Sequence, residues 1–147
     1  MLLTGLTDLL RESTPYRVVL ARLREADSLR LPTIRAARPF LLAALARDWP
    51  GPVIYITPQI RRAYNVTEQL PETRPVHSFN EPTSQFYERV PWGEAVIASR
   101  LEALAALLPP DEDADDAPTP PVVVSSARAL MQRTLPVNRF RQAAMLV

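Results

Sequence analysis

The sequence predicts an α/β domain of three layers, a mostly parallel sheet with helices on both faces. Three observations carry this. Short β-branched runs stand at Val53–Thr57 and Val122–Ser125, as expected of buried parallel strands, and Val76–Phe79 is a further strand candidate after a second crossover helix. Amphipathic stretches of helical period lie between them. The first half also contains LRLPTIRAARPFLLAALARDWPGPVIYITP, Leu29 to Pro58, which reads strand, loop, helix, turn, strand, the rhythm of a βαβ unit. Right-handed crossovers then put helices on both sides of the sheet.

Leucines at 2, 3, 6, 9 and 10 give residues 2–11 one apolar helical face. Thr14 can cap a second helix with Pro15 at its first position, and Tyr16, Val19, Leu20 and Leu23 carry it to about Ala26. Residues 1–28 are therefore an N-terminal helical extension, and 29–147 the α/β domain. Leu29–Leu31 is the first strand expected. Pro39 is tolerable only in a first turn, so the next helix starts near Ala37 or Arg38. Phe40, Leu41, Leu42, Ala44 and Leu45 are its apolar face, and Asp48-Trp49-Pro50-Gly51-Pro52 ends it.

After the strand at 53–57, Ile60, Ala63, Tyr64, Thr67 and Leu70 share a helical face, and Pro71 stops the helix. Asn80–Trp92 is an irregular connection whose Phe86, Tyr87 and Trp92 pack it down. Its Glu81 and Glu88 have no base, nucleophile or metal partner in sequence. Glu94–Leu108 follows as a helix, with Val96, Ile97, Leu101, Leu104, Ala105 and Leu108 on one face and Arg100 and Glu102 on the other. Residues 109–121 are acidic and proline-rich and read as a flexible loop; they lack the glycine and final glutamate of a calcium loop. Val122–Ser125 is the fourth strand, Ser125-Ser126 can cap a short helix through Met131, and Ala143–Val147 reads as the start of a further strand. Ending there, the sequence reads as a fragment of a longer chain.

Composition excludes several chemistries. With no cysteine there is neither disulfide nor thiolate metal site, which fits the cytoplasm. A single histidine, His77, rules out a histidine metal cluster and reads as structural. No apolar run is long enough to span a membrane, and Asp8 within the first leucines, without a basic start, argues against a signal peptide. The net charge of +1 hides an asymmetry: Asp111, Glu112, Asp113, Asp115 and Asp116 set aside, seventeen basic residues face eleven acidic ones. Every basic residue is arginine.

The absence of lysine bears on the turn before the first long helix, Pro32-Thr33-Ile34-Arg35-Ala36-Ala37-Arg38-Pro39. A nucleotide-binding loop at such a turn needs glycines for close backbone approach, a lysine for the β/γ oxygens and a hydroxyl for Mg²⁺. Here there is no glycine, arginine's planar fork does not replace an ammonium, and Pro39 takes the hydroxyl position while removing an N–H. The reading is a P-loop-NTPase-like fold with a degenerate phosphate loop, without catalytic residues, cofactor or metal.

Four blocks carry a resemblance. Gly51-Pro52-Val53-Ile54-Tyr55-Ile56-Thr57-Pro58 resembles the second strand of the amino-terminal UvrB-like module (the domain 1a region) of bacterial transcription-repair coupling factors (Mfd). Phe86-Tyr87-Glu88 with Pro91 is similar to a second block of that module, and Ser99-Arg100-Leu101 with the helix after it to a third. Val122 to Arg133, VVVSSARALMQR, is the most specific. The similarity runs from about residue 29 to 147; the acidic loop looks like an insertion, and the proline usual before the tyrosine is missing. Placed on the working loop of UvrB, the two outer glycines fall at Pro32 and Ala37, the lysine at Arg38 and the threonine at Pro39. Asn80–Trp92 is too short for UvrB's DNA-gripping hairpin.

The resemblance implies a non-catalytic module of DNA repair: in transcription-coupled nucleotide excision repair it scaffolds recruitment of UvrA to RNA polymerase stalled at DNA damage. It also restrains the ATP-binding, DNA-binding, helicase-like translocase of the full-length parent. Its partners would be UvrA and RNA polymerase through the parent, the parent's other domains, and DNA weakly or not at all. Two alternatives stand beside it, a nucleotide-binding UvrB-like repair ATPase, and a small-molecule-binding α/β domain with Asn80–Trp92 as its lid.

Overall fold

The computed structural model describes residues 2–25, 28–70, 74–82, 91–108 and 119–144. It begins with α1 (Leu2–Glu12) and α2 (Thr14–Glu25). The cap between them is Ser13 rather than Thr14: its Oγ accepts from the Tyr16 amide at 3.4 Å and donates to the Leu10 carbonyl at 2.6 Å. Pro15 follows inside the first turn, where its missing N–H costs nothing.

Residues 28–34 are extended but form no strand, which corrects the strand expected at Leu29–Leu31. The alternation is there, with Leu29, Leu31 and Thr33 half-buried and Arg30, Pro32 and Ile34 exposed. What is missing is a ladder partner, and Pro32 removes one of the few N–H groups so short a strand has to offer. A 3₁₀ turn, Arg35–Ala37, leads into α3 (Arg38–Asp48), with Pro39 in its first turn. Helix α3 buries Leu42, Ala43, Ala44 and Ala46, whereas Phe40, Leu41 and Leu45 are half-buried.

The short link Trp49–Pro52 turns the chain into β1 (Val53–Thr57), followed by α4 (Ile60–Gln69), β2 (Val76–Phe79), α5 (Glu94–Ala106) and β3 (Val122–Ser126). Two short helices close the described chain, α6 (Ala127–Leu130) and α7 (Val137–Ala144). The last corrects the strand expected from Ala143; residues 145–147 lie outside the described residues. Pro136 starts α7, its carbonyl accepting from the Phe140 amide at 2.9 Å.

Among the described residues the sheet has three strands, all parallel, in the order β1-β3-β2. The step from β1 to β2 runs one way across the sheet and the step from β2 to β3 runs back, so right-handed crossovers place α4 and α5 on opposite faces. The core divides accordingly. Leu42 and Ala46 of α3 and Ala63 and Val66 of α4 cover Val122 and Val124 on one face. Ala103 of α5 and Ala129 of α6 meet Phe79 and Val123 on the other. Alternate residues of β3 thus serve alternate layers, and all five are buried.

Two helix faces differ from the sequence reading. In α4 the buried pair is Ala63 and Val66, and Tyr64 is exposed. In α5 the buried residues are Arg100 and Ala103, while Ile97 and Leu101 are exposed. Arg100, assigned to the solvent face, is only 4% exposed.

The N-terminal helices pack onto this unit through α3. Asp48 accepts from the Tyr16 hydroxyl at 2.9 Å and from Arg11 Nε at 3.0 Å, and it is also paired with Arg11 Nη2; Arg47 reaches back to Asp8 at 2.6 Å.

Candidate functional site

The residues singled out from sequence stand together at the start of α3. Pro32 is exposed in the extended segment; Ala37 ends the 3₁₀ turn and precedes the helix; Arg38 and Pro39 are its first two residues. Arg35 and Arg38 both point to solvent. The Ala37 amide is bonded to the Ile34 carbonyl at 3.1 Å, and Pro39 has none to offer. Among the described residues no backbone position has positive φ. The segment therefore lacks the converging amides that wrap a phosphate.

A second arrangement, which sequence reasoning missed, sits at the carboxyl ends of β2 and β3. Parallel strands there direct their C-terminal residues toward one crevice, where α/β domains commonly bind ligands. Arg100 of α5 is buried at these strand ends. Its Nη1 donates to the Asn80 carbonyl at 3.0 Å and to the Ala129 carbonyl at 3.1 Å. Its guanidinium lies 3.9 Å over the Phe79 ring and 5.0 Å from that of Trp92. Nη2 is buried with no hydrogen-bond partner among the described residues. Burial holds the pKa of Arg100 below the ordinary arginine value.

Beside it, Ser126 ends β3 and caps α6. Its Oγ accepts from the Ala129 amide at 3.1 Å and donates to Glu81 Oε2 at 2.6 Å. Ser125 Oγ donates to the Phe79 carbonyl at 3.1 Å, and Asn80 Nδ2 donates to Ser99 Oγ at 3.0 Å. Glu81 therefore does have a side-chain partner. That partner is a serine whose Oγ also caps α6. Phe86, Tyr87 and Glu88 lie outside the described residues; Trp92 is half-buried against Arg100.

The arrangement binds strand ends to helices: one cation and two serines satisfy carbonyls and an amide that the sheet and α6 leave open. Two cavities among the described residues lie elsewhere. An open cleft of about 550 Å³ includes Glu68, Arg74, Val76 and Thr119, at the amino ends of β2 and β3. A smaller one of about 220 Å³ is lined by Leu23, Leu45, Trp49, Pro52, Val53 and Ile54, at the amino end of β1. Among the described residues no three histidine, aspartate or glutamate side chains are grouped to hold a metal, and no helix is long and apolar enough to cross a membrane.

No protein-family model, curated protein or solved structure matches this chain.

Proposed function

We propose that this chain is a non-catalytic α/β interaction module with a degenerate phosphate loop, P-loop-like in ancestry. In this reading it is the UvrB-like N-terminal part of a transcription-repair coupling factor. It presents surfaces for recruiting UvrA to stalled RNA polymerase and helps restrain the parent's ATP-driven DNA translocase. The observation that carries the reading is the state of the segment before α3. The stretch has no glycine or lysine and places Pro39 in the helix's first turn, while α3 after it packs on a parallel sheet. Chain order adds support: strand β1, helix α5 around Arg100 and the VVVSSARALMQR block on β3 and α6 follow one another in that order, and β1 pairs with β3.

Pull-downs with UvrA test the recruitment role. This chain alone is expected to retain UvrA weakly or not at all, and a chain extended beyond Val147 to retain it strongly. Equal retention by both puts the UvrA surface within residues 1–147 and overturns the division of labour. Saturable micromolar binding of fluorescent ATP that is abolished by Arg38→Ala overturns the non-catalytic reading itself.

A further inference from the structure

From Leu130 to Arg139 the chain is exposed at every residue but Gln132. The ribbon runs from the end of α6 through an irregular stretch into α7. Four large apolar side chains occupy it: Leu130 at 45% exposure, Met131 at 73%, Leu135 at 49% and Val137 at 59%. Single exposed aliphatics are ordinary, but four within eight residues are not. Together they show roughly 400 Å² of apolar surface, the size at which a patch on a monomer tends to be functional. Phe140, just after this stretch, is buried.

Charge is equally one-sided. After Asp116 the sequence has four arginines and no acidic side chain. Arg133, Arg139 and Arg141 are exposed in the same stretch of chain. Exposed arginines interspersed in sequence with exposed aliphatics suit a protein partner that offers carboxylates and apolar side chains. The apolar part alone is about half of the ~800 Å² that a standard interface takes from each partner, and the arginine stems supply more.

We propose that the 130–141 face docks a partner protein that presents carboxylates around aliphatic side chains. A second copy of this chain is disfavoured because it would set arginine against arginine. Nucleic acid would satisfy the arginines but leave four aliphatics unused, and no aromatic in the ribbon is available to stack on a base. A lipid surface would strip water from the irregular backbone between Gln132 and Pro136, whose open N–H and C=O groups a protein partner can satisfy. The inference stands on this face alone and does not depend on the coupling-factor reading.

The test uses the whole chain and a fluorescein-labelled amphipathic peptide of about 20 residues with leucines on one helical face and glutamates around them. Anisotropy is expected to show micromolar binding at about 0.1 M salt that weakens as salt rises. Polyglutamate of equal charge is expected to bind at least about tenfold more weakly, and Met131→Asp with Leu135→Asp to weaken the peptide by a similar factor. Arg133→Glu with Arg139→Glu should do likewise, and Leu9→Asp on exposed α1 should change nothing. All these positions are exposed, so circular dichroism should show the fold retained. The proposal fails if polyglutamate binds as well as the peptide or if the ribbon variants bind unchanged. It also fails if duplex DNA or phosphatidylglycerol vesicles bind the chain more tightly than the peptide does.

Discussion

The guanidinium carbon of Arg100 lies 3.9 Å above the ring of Phe79, a helix residue stacked on the last residue of a strand. The contact joins α5 to the sheet, and the same guanidinium bonds carbonyls of the β2–α5 connection and of α6. Such a cation costs desolvation, which the two carbonyls and the two rings offset.

Arg100→Ala is expected to destabilise the chain by about 2–4 kcal/mol, because it leaves two buried carbonyls unpaired and opens a cavity beside Phe79. Arg100→Met, which restores the stem, should recover part of that loss. Urea unfolding followed by circular dichroism measures both. A loss below about 0.5 kcal/mol for Arg100→Ala would mean that the buried charge costs nearly as much as its contacts return.

Asp48 is the joint between the N-terminal helices and α3. Its carboxyl is held below the usual carboxylate range, first by the Arg11 hydrogen bond and then by Tyr16. A depressed folded pKa gives stability that is present above about pH 4 and lost as pH falls through the folded value. Asp48→Asn should therefore cost about 1–2 kcal/mol at neutral pH, and the gap to the native chain should close in acid. The urea midpoint as a function of pH reads this directly.

Tyr16 gives the opposite limb. Burial, with Asp48 adding to it, pushes its phenol well above the ordinary value of about 10. The neutral phenol is favoured in the folded state, so this stability is complete below about pH 10 and is lost as pH rises beyond it. Tyr16→Phe is expected to lower stability at neutral pH by about 1 kcal/mol and to flatten the alkaline decline. Equal alkaline slopes for the two chains would show that Tyr16 does not govern it.

Ser126 serves two partners with one hydroxyl. Ser126→Ala should cost about 1–2 kcal/mol, because the Ala129 amide and the Glu81 carboxylate both lose it. Ser126→Thr keeps the hydroxyl and should cost less, as should Glu81→Gln, which retains an acceptor. Thermal unfolding of the three variants separates the cap from the carboxylate contact.

Restoring the missing side chains at the start of α3 should not restore a nucleotide site. Arg38→Lys with Pro39→Thr returns a lysine and a hydroxyl, but the preceding turn still lacks glycine and no described strand holds it from behind. No saturable nucleotide binding is expected in a fluorescent ATP titration of this variant. Micromolar binding would show that the loop kept its phosphate-wrapping shape.

The α/β class was legible because short strand candidates at 53–57, 76–79 and 122–125, two of them β-branched, alternate with stretches of helical period, and the structure forms all three, the last to Ser126. The same pattern misled at Leu29–Leu31, where alternation is real but a ladder partner is absent, and at Ala143, where a strand was expected and α7 runs on. The Arg100 arrangement was not legible at all. Arginine is rarely buried, so periodicity assigned it to solvent. Only the neighbouring Phe79, Asn80 and Ala129, brought from distant positions, make its burial tolerable. For the same reason Glu81 seemed to lack a partner: Ser126 is forty-five residues away in sequence.

By itself, then, the sequence determined the strands at 53–57 and 76–79, most of β3, the absence of thiolate chemistry, and the lack of lysine and glycine in the turn before α3. These are local or compositional properties that need no knowledge of neighbours. The tertiary structure alone decided the strand order β1-β3-β2, the burial of Arg100 over Phe79, the seat of the N-terminal helices on Asp48, and which apolar residues stay in solvent. Each of those depends on contacts between residues far apart in the chain, and local periodicity carries no information about them.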